Sequence, residues 1–119
     1  DTKQWEQSAA YHIDTHEATA AFVKNAGLGF AIPYLHDSQS HDYIPDFIIR
    51  LKTERQIPCY LILETKGYDP LKDVKRVAAQ RWVNAVNADG KYGHWQYALA
   101  LKVADVDKLI SEAVDRYRR

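Results

Sequence analysis

Two apolar runs that lie close together in the chain constrain its fold most strongly. Residues 43–51 and 59–64 are rich in Ile, Leu, Phe and Tyr, and the polar residues 52–58 separate them. Apolar runs of this length, bounded by turn-forming residues, predict two neighbouring β-strands. Pro45 lies near the start of the first run, which fits a strand start or bulge, because proline has no backbone N–H to donate to a ladder. The chain is therefore expected to build a sheet around these two strands.

Charged side chains lie at the ends of both predicted strands. Asp46 directly follows Pro45, and Glu64 and Lys66 close the second run. Successive side chains of a strand point to opposite faces of the sheet, so Glu64 and Lys66 are predicted to lie on the same side. The pattern therefore predicts two carboxylates and one lysine near the ends of adjacent strands.

Phosphodiester hydrolysis is a reaction that such a set of residues could perform. The reaction needs charge neutralisation at the phosphate and a deprotonated water, and a divalent metal held by carboxylates supplies both. Mg²⁺ prefers oxygen ligands and keeps several waters, so Asp46, Glu64 and the backbone carbonyl of Thr65 are the predicted metal ligands. Lys66 would contact the attacking water or the scissile phosphate. The alternative interpretation is that Glu64 and Lys66 form a same-face surface pair without a chemical role.

Length and composition limit the class of protein. With 119 residues, 46% of them hydrophobic, the chain is expected to form one domain, 1–119, with a buried core. It has no run of about 18 apolar residues and no charged-then-apolar leader, so we expect a soluble protein without a membrane partner. The single cysteine, Cys59, suits a reducing cytoplasm and is expected to be a buried strand residue. The chain begins at Asp1 and has no Met, which predicts a fragment of a longer polypeptide.

The charge balance argues against strong autonomous binding of nucleic acid. Sixteen basic and sixteen acidic residues give a formal net charge of zero. A local excess of basic residues remains on the helix predicted after the second strand, where Lys72, Lys75 and Arg76 are candidates for DNA contacts. The alternative for these three residues is a solvated helix face.

Apolar residues at spacings of three and four predict amphipathic helices over residues 2–12, 71–89 and 105–117. Asp14 and Glu17 resemble a capping box, which predicts a second helical piece beginning at Asp14.

Further strands are predicted on either side of the two central ones. They cover residues 30–35 and 95–102, and the segment 20–25 stays undecided between helix and strand. The three consecutive strands before the long helix can pair as an antiparallel meander, and the crossover through that helix should return the last strand parallel to the third. The predicted fold class is α/β, with a mixed central sheet flanked by helices.

These features together resemble the PD-(D/E)xK nuclease superfamily. Pro45-Asp46 and Glu64-Thr65-Lys66 match its motif, and the predicted order of elements matches its αβββαβ core. The chain is more closely similar to the C-terminal endonuclease domain of the restriction subunit of type III restriction-modification enzymes. The similar segments are 5–6, 23–25, 28–30, 32–34, 43–47, 61–67, 79, 81–87 and 92–95.

The resemblance implies a restriction-endonuclease-like fold and hydrolysis of double-stranded DNA with Mg²⁺, for which Mn²⁺ can substitute. Asp46 and Glu64 would be metal ligands, and Lys66 would be the catalytic lysine. The resemblance also implies an ATP-dependent, helicase-like motor domain in the same polypeptide and a modification methyltransferase subunit as partner. The 119 residues of this sequence contain no Gly-rich phosphate-binding loop, so ATP would act only through that motor. A homodimer would provide one site for each DNA strand.

The resemblance also suggests further site residues. A carboxylate from the first helix often joins the metal site in this superfamily, and Glu6 is the candidate, with Glu17 as its rival. Gln80 and Lys75 are candidates on the long helix. The five histidines lack zinc-like spacing with cysteine, so a zinc site is not expected.

Two other functions remain open from the sequence. The first is a non-catalytic docking or DNA-contact module that joins the motor to the methyltransferase. The second is a repair or resolvase-type nuclease that acts on branched or single-stranded DNA.

Overall fold

The computed structural model describes residues 2–65 and 69–118 and has a mixed α/β architecture. Four strands form the central sheet in the order β1-β4-β5-β6, and β2 and β3 form a separate two-stranded sheet. The elements are α1 (Thr2–Thr15), β1 (Thr19–Lys24), β2 (Ile32–His36), β3 (Gln39–Tyr43), β4 (Phe47–Leu51), β5 (Cys59–Thr65), α2 (Lys72–Asp89), β6 (His94–Ala100) and α3 (Asp105–Asp115).

The central sheet is mixed, as predicted. Strand β4 is antiparallel to both β1 and β5, whereas β5 and β6 are parallel. Helix α2 connects the two parallel strands, which confirms the predicted crossover. The α/β class, with a mixed sheet flanked by helices, is therefore correct.

The predicted meander is wrong in its first strand. The undecided segment forms β1 and occupies the place beside β4, whereas the strand predicted over 30–35 pairs with β3 in a separate hairpin. The cause is a tight turn at Asp37 and Ser38, whose φ angles of 51° and 61° fit a two-residue hairpin loop. The predicted strand over 44–51 begins only at Phe47, because Pro45 interrupts the backbone donors before it.

The predicted capping box is also wrong. Helix α1 continues through Asp14 to Thr15, and Glu17 lies in the turn that leads to β1. His16 organises this turn, since its Nδ1 atom accepts a hydrogen bond of 3.0 Å from the Ala18 N–H. Among the described residues, no helix is long and apolar enough to cross a membrane.

Strand β5 lies between two hydrophobic clusters, one on each face of the sheet. Leu61 and Leu63 pack with α1 and α3, while Ile62 packs with α2 and the β2–β3 hairpin. Because both faces are covered, β5 is apolar without alternation up to Leu63. Cys59 is 1% exposed at the start of this strand, which confirms the prediction for that residue.

Candidate active site

The structure brings Asp46 and Glu64 together at one end of the central sheet. Phe47 pairs with Leu63 in the antiparallel ladder. Asp46, directly before Phe47, therefore faces Glu64, directly after Leu63. The backbone N–H of Asp46 donates a hydrogen bond of 3.2 Å to Glu64 Oε1. The two carboxylates that the sequence singled out are therefore neighbours across adjacent strands.

Thr65 fixes the carboxylate of Asp46. Its backbone N–H and its hydroxyl both donate to Asp46 Oδ2, each at 2.9 Å. Continuing the strand register places Thr65 opposite Pro45, which has no N–H to offer. Asp46 Oδ1 receives no hydrogen bond from residues 2–65 or 69–118, so the described contacts hold one oxygen of this carboxylate and leave the other for a ligand.

Asn25 fixes the backbone around Asp46. This side chain is fully buried directly after β1, and its Nδ2 donates to the carbonyls of Pro45 and Phe30, both at 2.8 Å. Its Oδ1 accepts from the Phe30 N–H at 3.2 Å, and its own N–H donates to the Asp46 carbonyl at 2.8 Å. One buried amide therefore ties β1 and the loop after it to the start of β4.

Asn25 was not among the site residues that the sequence predicts. A single Asn after an apolar segment is a common turn signal, so its pattern alone does not distinguish a turn from a buried crosslink. The contacts that define the role come from segments that are distant in sequence.

Glu64 lies in a buried environment beside two tyrosines. It is 2% exposed, and the hydroxyls of Tyr43 and Tyr97 are 3.0 Å apart next to it. Together with Lys72 and Asp69 these residues line a cleft of about 10 Å³, which is enough for about one water. The cleft is thus a narrow recess against the Glu64 carboxylate.

Burial keeps both tyrosine hydroxyls protonated. It raises the pKa of Tyr43 far above the ordinary value, and the charges of Glu64 and then Tyr97 raise it further. Burial is also the largest cause that raises the pKa of Tyr97, to about 12. At neutral pH both hydroxyls are therefore hydrogen-bond donors and neither is a base.

Lys75 and Asp69 form an ion pair at the rim of this cleft. The Lys75 Nζ to Asp69 Oδ2 distance is 2.8 Å, and the ammonium also lies 5.6 Å from the centre of the Tyr43 ring. Asp69 Oδ1 accepts the Leu71 N–H at 2.8 Å just before α2. Asp69 was not among the predicted site residues, and no local pattern in the sequence distinguishes it from an ordinary turn aspartate.

The three predicted DNA contacts differ in their surroundings. Lys72 and Lys75 both line the cleft, and the charge of Lys75 is paired there with Asp69. Arg76 is exposed on α2, with its Nε atom 3.8 Å from an Asp73 carboxylate oxygen. Lys72 and Lys75 are therefore the two of these three that line the cleft.

Glu6 lies at the same end of the sheet as Asp46. Its carboxylate is 3.7 Å from Lys24 Nζ, and Lys24 is the register partner of Phe47, the residue after Asp46. Its rival Glu17 is exposed in the turn before β1.

One other predicted residue, Gln80, has no described contact with this site. Gln80 is exposed on α2, where its amide donates to Asn84 Oδ1 at 2.9 Å. Lys66 lies outside the described residues.

The chemistry of the site fits a hard divalent cation. In residues 2–65 and 69–118, no group of three or more His, Cys, Asp or Glu side chains forms a metal-binding cluster. Mg²⁺ commonly takes one or two carboxylates and keeps several waters, so Asp46 and Glu64 match its requirement. The N–H and hydroxyl of Thr65 are used on Asp46, and its contribution to a metal would come from its carbonyl oxygen.

The arrangement offers acidic oxygens, protonated tyrosine hydroxyls and lysine charge at one end of a sheet. These groups could hold a metal ion and orient a phosphate ester beside it. Comparison of the chain with protein-family models, with curated proteins and with solved structures finds no match.

Proposed function

We propose that this chain is a metal-dependent endonuclease domain that hydrolyses DNA phosphodiester bonds. The observation that carries the proposal is the pairing of Asp46 with Glu64 across β4 and β5, where Thr65 fixes Asp46 Oδ2 with two hydrogen bonds. A carboxylate pair held in this way is preorganised, because its geometry follows from the strand register and does not depend on mobile surface side chains.

The topology supports a restriction-endonuclease-like core. The elements α1, β1, β4, β5, α2 and β6 follow the order αβββαβ, and the β2–β3 hairpin is inserted between the first two strands. In the central sheet β1, β4 and β5 are antiparallel neighbours, and β6 returns parallel to β5. Asp46 lies directly before β4 and Glu64 lies on β5, the two middle strands of this arrangement.

The proposed roles follow from the contacts. Asp46, Glu64 and the Thr65 carbonyl would hold Mg²⁺ or Mn²⁺, which neutralises phosphate charge and lowers the pKa of a bound water. Lys66 retains its predicted role as the catalytic lysine. Tyr43 and Tyr97 donate hydrogen bonds beside Glu64 and exclude bulk water from its buried side.

The resemblance described above further suggests a place for this activity. The domain would be the cleavage module of a type III restriction-modification system, with a motor domain in the same polypeptide and a methyltransferase subunit. A net charge of zero supports this division of labour, since phosphate neutralisation supplies most non-specific DNA affinity. The isolated chain is expected to bind DNA weakly at physiological salt, and a homodimer would allow cleavage of both strands.

A plasmid-nicking assay with Mg²⁺ or Mn²⁺ tests the activity. Asp46→Asn keeps the size of the side chain and removes its charge, so we expect nicking to fall to the level seen with EDTA. Asp42→Asn, an exposed aspartate on β3, is the matched control and should retain full nicking. Undiminished cleavage by Asp46→Asn would contradict the proposal.

Substrate comparison separates the proposed activity from a repair or resolvase-type nuclease. Linear duplex, branched and single-stranded DNA should be compared at equal phosphate concentration, and preferential cleavage of the duplex is expected. The docking alternative has less support from the closing helix, because the apolar residues of α3 pack into the core. These residues are Val106, Ile110, Ala113 and Val114.

A further inference from the structure

A second concave site lies at the opposite end of the central sheet. A cavity of about 230 Å³ is lined by residues that include Arg55, Cys59, His94, Arg116 and Tyr117. Cys59 begins β5 and pairs with His94 of β6, whereas the Asp46 site lies at the other end of β5. The two sites are therefore separated by the length of a strand.

Arg116 is held at this cavity by a neutral acceptor. Its Nη1 donates to the Gln96 side-chain oxygen, and Gln96 Nε2 donates to the Ala113 carbonyl at 2.9 Å. Gln96 is 9% exposed, and its bond to Ala113 directs the amide oxygen toward Arg116. Because this acceptor is neutral, it orients the guanidinium and does not offset its positive charge.

Arg55 is held in a similar way. Its Nε donates to the Tyr117 carbonyl at 3.5 Å, and its guanidinium carbon lies 5.5 Å from the centre of the Tyr117 ring. Both contacts hold the guanidinium near the cavity. Neither partner is anionic, so the contacts do not offset its positive charge.

In the part of the chain that the structure describes, neither arginine is paired with an acidic group. Within the described ranges, Arg55 and Arg116 make no ion pair with a carboxylate, whereas Arg76 and Arg118 pair with Asp73 and Asp115 at 3.8 and 3.1 Å. The cavity therefore carries two guanidinium charges that no described carboxylate pairs with, in a chain whose net charge is zero.

His94 and Tyr117 add polar groups to the same cavity. The Tyr117 hydroxyl is 2.6 Å from His94 Nδ1, and burial raises the pKa of Tyr117 to about 12. The hydroxyl is therefore protonated and can donate to Nδ1, which leaves the proton of a neutral His94 on Nε2. The Tyr117 hydroxyl is uncharged at neutral pH and an imidazole ring carries no negative charge there, so neither side chain repels an anion.

We propose that this cavity binds a phosphate group. Guanidinium groups match the oxygens of phosphate with charge-assisted, often bidentate hydrogen bonds. A volume of about 230 Å³ suits a compact phosphate ester, such as a mononucleotide, and a phosphate of a nucleic-acid backbone presents the same chemistry. The proposal does not depend on the nuclease function, because it uses none of the residues of the Asp46 site.

Binding should be measured with the chain in EDTA, so that no divalent cation bridges the ligand to Asp46 or Glu64. The ligands are inorganic phosphate, a mononucleotide and a short duplex. Binding of each is monitored by calorimetry and by the NMR shifts of the His94 ring. We expect saturable binding that Arg55→Gln and Arg116→Gln each weaken about tenfold or more. Arg81→Gln, an exposed arginine on α2, is the matched control and should bind as tightly as the parent chain.

The ligands identify the source of the phosphate. Mononucleotide binding that both variants weaken supports a small phosphate ester, and duplex binding with the same loss supports a nucleic-acid backbone. No saturable binding, or equal weakening by Arg81→Gln, overturns the proposal. If Arg116→Gln lowers the melting temperature because it frees Gln96, Arg55→Gln decides alone, since Arg55 is exposed in the connection between β4 and β5.

Discussion

The two ends of the central sheet carry opposite chemistry. At one end Asp46 and Glu64 place carboxylate oxygens side by side, and at the other Arg55 and Arg116 line a cavity with two positive charges. A single strand, β5, contributes to both ends. A chain with a net charge of zero therefore places two carboxylates at one end of the sheet and two guanidinium groups at the other.

The ends also differ in what holds their charged groups. Backbone N–H groups and the buried amide of Asn25 fix the acidic end, so its geometry follows directly from strand pairing. The Gln96 side chain fixes Arg116 at the basic end, and the carbonyl and ring of Tyr117 fix Arg55. Substitutions at one end should therefore leave ligand binding at the other intact.

Glu64→Gln should produce the largest effect and the cleanest separation of the ends. Removing one of two charged ligands is expected to weaken Mg²⁺ or Mn²⁺ binding by about a hundredfold or more. Phosphate binding measured in EDTA should not change. A parallel loss of phosphate binding would show that the two ends are not independent.

Asn25→Ala should weaken both the fold and the acidic site. It leaves the buried carbonyl of Pro45 and the partly buried carbonyl of Phe30 without a donor, which costs about 3 kcal/mol of unfolding free energy. Metal affinity should also fall about tenfold, because Asp46 loses support. Urea unfolding and metal titration measure the two effects.

Asn87→Ala is the matched control for Asn25→Ala. Asn87 bridges the backbone of Trp95 with bonds of 2.9 and 2.8 Å, near the start of β6. Its loss should cost a similar free energy of unfolding while metal affinity stays unchanged. Equal loss of metal affinity in both variants would mean that Asn25 acts only through global stability.

Gly93→Ala should disturb the basic end alone. Gly93 has φ +83°, and a Cβ there would lie 2.6 Å from the Pro58 carbonyl oxygen. We expect a loss of about 2 kcal/mol in unfolding free energy, with metal binding retained. Gly90 has φ +77°, and a Cβ there would have no atom within 4 Å, so Gly90→Ala should cost only about 1 kcal/mol of unfolding free energy. Equal costs in thermal or urea unfolding would contradict the predicted clash.

Tyr43→Phe should have the smallest effect, and its diagnostic signature lies in alkali. The folded state raises the pKa of Tyr43 above its ordinary value of 10.0, so the folded state binds more protons above that pH. Stability is therefore retained below pH 10 and falls as pH rises beyond it. The variant should lose stability less steeply between pH 9 and 11 in urea unfolding, and an unchanged slope would contradict the assignment.

The sequence predicted the acidic end better than the basic end because its signal is local. Alternation along a strand and a short connection between two apolar runs were enough to pair Asp46 with Glu64. The contact between Arg116 and Gln96 joins α3 to β6, and no periodicity identifies it. Tertiary contacts between distant segments carry no short sequence pattern.

The wrong and undecided predictions about the fold have similar causes. The turn at Asp37 and Ser38 lacks the Gly that commonly marks a two-residue hairpin, so the insertion of β2 and β3 was missed. Segment 20–25 mixes Ala with Phe and Val, which leaves helix and strand equally compatible with its pattern. The long helix and the parallel strand after it were predictable, since their periodicities are sustained and the crossover rule fixes their geometry.

Calorimetric titration of the chain with Mn²⁺ and Mg²⁺, with a short DNA duplex in the cell, tests the central claim most directly. The account predicts saturable binding that Asp46→Ala abolishes and that Asp42→Ala, on the exposed edge of β3, leaves unchanged. Metal binding that is equally tight in Asp46→Ala, or no binding by the chain with the duplex present, would contradict a metal site built from Asp46 and Glu64.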